Sequence, residues 1–168
     1  MKTINDTNLP YTLDEALAQR VLDTVDAGLV EGMGNPTPGA MCIEAAVCFA
    51  LGLPHSDNPP CVGAAVRSAV IALTDSAWSS DKARASGMRA IAIAQLGSNT
   101  LDQLAFATRM AILTVNRIVP VALAQIPDPS DEVKASSALC ATAVTLDGAR
   151  AAARAAAADA WAASHLTG

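Results

Sequence analysis

Apolar positions recur along this chain at intervals of three and four, the spacing that lines one face of an α-helix. Leu13, Leu17, Val21, Val25 and Leu29 repeat at four-residue steps, and Thr12 followed by Glu15 has the form of a capping box. The pattern predicts a first helix over 13–30. The loop 32–39 holds three glycines and two prolines, and a second helix follows from Ala40 to a stop at Gly52 and Pro54. Asp57 or Asn58 then caps a third helix, with Pro59 and Pro60 in its first turn and its end near Asp75. Ser79 or Ser80 caps a fourth, stopped at Gly97. Thr100 with Gln103 opens a long fifth, which Pro120 kinks or splits. Beyond Pro127 and Pro129, Ser130 opens a sixth helix, and Asp147 or Gly148 begins an alanine-rich seventh that ends near His165.

Two of these segments are apolar almost all round, which is the pattern of a buried helix. In the fifth, the main polar positions are Asp102, Arg109 and Asn116, seven apart on one narrow stripe. In the third, Arg67 and Asp75 are the only charges from Cys61 onward. The expected architecture is therefore all-α: one domain over residues 1–168, a single compact bundle of six or seven helices with the third and fifth at its centre.

Composition points the same way. Apolar residues make up 52% of the 168 positions and aromatics 3%, with about a fifth of the chain alanine, which suits close helix packing. The net charge of −5 is uneven: two bases against eight acids in 1–60, six against three in 61–118, three against five in 119–168. That balance argues against a nucleic-acid surface, where cations supply most of the affinity. It leaves the middle able to meet a small anion or an acidic partner. The first twelve residues show no apolar core of a leader or anchor. The longest apolar stretch, 110–126, is interrupted by Asn116, Arg117 and Pro120, short of the ~20 clean residues a bilayer needs. The expectation is a cytoplasmic protein without a membrane span, its cysteines reduced.

The densest chemistry lies in 34–62, which carries three of the four cysteines, one of the two histidines and five of the nine prolines. Glu44 is the only charge from Ala40 through Pro54. A carboxylate among apolar neighbours must be paired, hydrogen-bonded or protonated, and Arg67, Arg89 and Arg109 are its natural partners. Such a group serves either as a structural ion pair or as a ligand contact. Cys42, placed in the first turn of the second helix, has the setting of an activated thiol. The base it would need is poorly supplied: His55 stands roughly 15 Å away along the helix, and His165 is near the chain's end. Glu44, Cys48, His55, Asp57 and Cys61 offer metal-ligand types, but at no familiar zinc spacing. His55 and Asp57 read most simply as a turn and a helix cap. Trp78 reads as a plug at a helix corner, with Ser79 and Ser80 as caps.

The run GNPTPGAMCIEAAVCFALGLPHSDNPPCV, together with WSSDKARASGMRAIAIAQLGS further on, resembles uncharacterised bacterial and phage-borne proteins over residues 28–100. The resemblance implies that the second to fourth helices belong together and brings no activity with it. The reading favoured by the residues is a binding protein for a small anionic molecule or a protein partner, with Glu44, Arg67, Arg89 and Arg109 near the site and no cofactor or metal. The rivals are a thiol-dependent enzyme with Cys42 as nucleophile and a phage-type inhibitor of a host system. The alanine-rich last helix is a candidate surface for a homodimer.

Overall fold

A computed structural model describes residues 12–165 of the chain, with the side chain of the last of these left undescribed. The expectation of a leaderless first twelve residues lies almost wholly outside them. The described residues are helical, with no strand among them: α1 (Glu15–Asp26), α2 (Ile43–Ala50), α3 (Ala64–Thr74), α4 (Asp81–Ala94), α5 (Gln103–Leu113), α6 (Val119–Leu123), α7 (Asp131–Ala141) and α8 (Leu146–His165). A π-helical turn, Thr114–Ile118, joins α5 to α6, so that one helix runs from Gln103 to Leu123. The all-α expectation therefore holds, with seven helical bodies among the described residues. The helices group into two compact units, Met1–Gln103 and Leu104–Gly168.

In the first unit α1 packs on α2 and α4, burying Leu17, Val21 and Val25. The most enclosed helix is α2, of which only Phe49 is exposed; α3 buries Val66, Val70 and Thr74. The caps differ from the sequence reading at three helices. At α1 the cap is Asp14, whose carboxylate accepts from Leu17 N–H at 2.8 Å, in place of Thr12. Helix α2 begins later than expected, with Cys42 extended at the N-cap. Helix α3 starts at Ala64 and not at the prolines, because its free N–H groups are met from far along the chain. Ser98 Oγ accepts from Gly63 N–H at 3.0 Å, and Gln103 Oε1 from Ala65 N–H at 3.1 Å. Gln103 thus caps α3 and does not form a box with Thr100. Ser80 and Ser130 cap α4 and α7 as expected.

Buried Arg84 joins three segments. Its Nε donates to Thr74 O at 2.8 Å, and its Nη1 to Leu29 O at 3.0 Å and Asp81 Oδ1 at 2.6 Å.

In the second unit, Leu123, Val133, Cys140, Ala152 and Ala156 form the core, with Val115 and Val119 packed against it. Pro120 lacks the N–H an α-helix would use and its ring crowds the preceding turn. The wide turn Thr114–Ile118 absorbs this, with Val119 N–H donating to Thr114 O, so that of the kink or split expected at Pro120 the helix shows a local irregularity and no break. Ser136 hydroxyl meets the Asp159 carboxylate between α7 and α8. No residue of α5 is buried.

Removing the Arg84 head group leaves two buried carbonyls without donors. Arg84→Met is expected to lower the unfolding free energy by about 3 kcal/mol. Chemical denaturation reads this, and a loss below about 1 kcal/mol would show that Arg84 is not the tie described.

Candidate functional site

The site grows from the way the chain enters α2. Gly34, at φ 68°, pairs with Met41 across a single antiparallel bridge, and a Cβ there would run into the Ala40 carbonyl oxygen. This closed loop delivers Cys42, whose N–H donates to Met33 O at 3.3 Å. Cys42 Sγ accepts from Ala45 N–H at 3.4 Å. His55 Nε2–H donates to Gly34 O at 3.1 Å, so the ring fastens the same loop from outside. Asp57 stands beside Cys42 in the wall of a cavity of about 40 Å³, completed by Ile71, Thr74 and Asp75. At 10–15 Å³ per water centre, it has room for about three waters.

Glu44, in the first turn of α2, has no exposed surface. Neither carboxyl oxygen has a hydrogen-bond partner among the described residues. Burial pushes its pKa up from 4.5 to about 8; the charge of Arg67 opposes the rise and that of Asp57 adds to it. The residue is therefore a protonated, neutral acid at pH 7.

The three thiols near it share the cause. Burial raises Cys48 and Cys61 to about 11, with Cys61, Glu44 and others adding to Cys48, and backbone donors holding Cys61 back. Cys42 is also raised, chiefly by burial, against hydrogen bonds from the Ala45 and Glu44 amides. A helix N-terminus lowers a thiol pKa when solvent can also reach the sulfur; here desolvation wins. All four cysteines are buried and unbridged.

Of the expected arginines, Arg67 is near enough for Glu44 to feel its charge, yet makes no ion pair with it. Arg89 is committed elsewhere: Nε and Nη2 hold Asp26 at 2.8 and 3.2 Å in an exposed fork. Arg109 belongs to the second unit, where it lines a groove of about 570 Å³ with Thr108, Ile112, Leu113 and Val144. Among the described residues, no group of three His, Cys, Asp or Glu stands close enough to hold a metal ion.

Three features escaped the sequence reading. Arg20 Nε donates to Ala50 O at 3.1 Å and so closes the end of α2. Gln95, almost fully buried, has neither amide atom partnered among the described residues; neither residue carries a local signal. The third is the helix Gln103–Leu123, 21 residues, which is long and apolar enough to cross a membrane by length and composition. Several of its apolar side chains are exposed, Leu104 at 78%, Ile118 at 61% and Val121 at 62%, while Phe106 and Ile112 are half-buried.

No protein-family model, curated protein or solved structure matches this chain.

Two outcomes test the site. The unfolded chain releases the Glu44 proton near pH 4.5, whereas the folded one keeps it to about pH 8. Stability contributed by this residue is therefore highest below pH 4.5 and falls as pH rises to about 8, by about 1.4 kcal/mol per unit. Glu44→Gln removes that slope. The variant should match the parent at pH 4 and exceed it by several kcal/mol, on the order of 3–5, at pH 8; parallel stability curves for the two would disprove the buried neutral acid. The four thiols should resist iodoacetamide in the native protein at pH 7 and react once it is unfolded. Rapid native alkylation of Cys42 at that pH would reinstate an activated thiol.

Proposed function

We propose that this chain is a binding protein and that its partner is another protein, engaged by the second unit. The observation that carries the reading is the helix from Gln103 to Leu123, none of whose residues before Leu123 is buried although its composition is apolar. An exposed apolar surface of that extent is characteristic of an interaction site. A small anion is supported less well. The first unit's small cavity has room for about three waters, carries the carboxylates of Asp57 and Asp75 in its wall, and has neither Glu44 nor Arg67 among its lining residues. A thiol enzyme is disfavoured by the same burial that raises the Cys42 pKa.

A photo-reactive amino acid placed at Val121, and in a control at exposed Lys82, tests this in the native host. The Val121 probe is expected to give one discrete protein adduct and the Lys82 probe none. Equal, diffuse labelling from both positions, or no adduct from Val121, would count against a partner on this helix.

A further inference from the structure

The helix Gln103–Leu123 uses only one of its two apolar sides. Val115, Val119 and Leu123 turn inward onto α7 and α8, while Met110 (37% exposed), Leu113 (38%), Ile118 (61%) and Val121 (62%) remain in solvent. The only charges in this stretch are Arg109 and Arg117. Both are exposed, and neither makes an ion pair among the described residues. Eight residues apart, they stand about 12 Å apart along the axis and so flank the apolar side at two levels. On one flank the surface deepens into the groove of about 570 Å³, where Arg109 and Leu113 face Val144, itself 81% exposed.

We infer that this surface takes an amphipathic helix whose apolar stripe is flanked by carboxylates about two turns apart. Charge selects that occupant. A second copy docked by the same face would bring four guanidinium groups together with no carboxylate between Gln103 and Leu123 to meet them. An anionic bilayer would attract the two arginines but repel a chain whose net charge is −5. A single small anion cannot span the separation of the two arginines. A helix carrying Glu or Asp at i and i+7 or i+8 meets both arginines at once, and lays its Leu or Ile stripe against Met110, Leu113, Ile118 and Val121. The inference rests on the protein-partner reading above and specifies the chemistry of that partner.

The test uses the full chain and two fluorescent, helix-stabilised synthetic peptides that share one Leu/Ile stripe. One carries Glu at the two flanking levels and the other Lys. The Glu peptide should bind at least about tenfold tighter than the Lys peptide, with the advantage shrinking as salt rises. The double variant Arg109→Glu with Arg117→Glu, exposed positions whose folding circular dichroism can verify, should reverse the preference. Val121→Asp should weaken both peptides. Equal affinity for the two peptides, or a Glu preference that survives the arginine reversal, overturns the inference. So does binding to phosphatidylglycerol vesicles that the Glu peptide fails to displace, or a concentration-dependent dimer in sedimentation that Val121→Asp abolishes. If neither peptide binds while the Val121 probe still captures one protein, the acidic-helix assignment alone fails. If the probe is also blank, the reading beneath it fails.

Discussion

The first unit depends on how one buried cation is satisfied. Arg84 takes a permanent positive charge into the interior, which is tolerable only where acceptors surround it. It finds the last carbonyl of α3, the Leu29 carbonyl between α1 and α2, and the Asp81 carboxylate at the start of α4. Leu29 is itself fully buried, and both of its backbone groups are met at the same place: its carbonyl by Arg84 and its N–H by the Asp81 carbonyl at 3.4 Å. A loop residue can be buried only on that condition. The loop anchored at Leu29 then turns through Gly34 to deliver Cys42 as the cap of α2. The geometry of the candidate site thus begins at a guanidinium group two helices further along the chain.

Glu44 is the counterexample within the same unit. Early in a helix, a carboxylate is favoured by the amide dipoles, and Arg67 adds a favourable charge. Neither offsets the loss of water around a side chain with no exposed surface and no hydrogen-bond donor. The acid keeps its proton instead. The same low-dielectric surroundings hold Cys42, Cys48 and Cys61 as thiols, so one physical cause accounts for four raised pKa values. It also explains why a cluster rich in reactive residue types is chemically quiet.

What could be read in advance was what local chemistry decides. The helical class, the Ser80 and Ser130 caps and the burial of Glu44 all follow from residues within a few positions of one another, whereas His55 binds Gly34 O, 21 residues back. The start of α3 did not, because its N–H groups are satisfied by Ser98 and Gln103, more than thirty residues on. Nor did the partner of Arg89, since Asp26 carries no mark distinguishing it from Asp23. Hydropathy alone also could not place α5, whose residues are all exposed or half-buried. An apolar helix is buried only if some surface covers it, and composition says nothing of whether that surface lies in the same chain.

The second unit adds weight to that point. Its core is built largely of small side chains, with Ala152, Ala156 and Cys140 around Leu123 and Val133. At roughly 0.8 kcal/mol per buried methylene-sized group, an alanine contributes far less than a leucine would in its place. Five of the unit's larger apolar side chains, Leu104, Ile118, Val121, Leu139 and Trp161, are exposed, while Phe106, Ile112 and Ile126 are only half-buried. Much of the apolar surface this unit could bury is therefore held out of its own core. Any partner that covers this surface adds its binding free energy to the folded state and none to the unfolded one, so occupancy of the face and stability of the unit are thermodynamically linked.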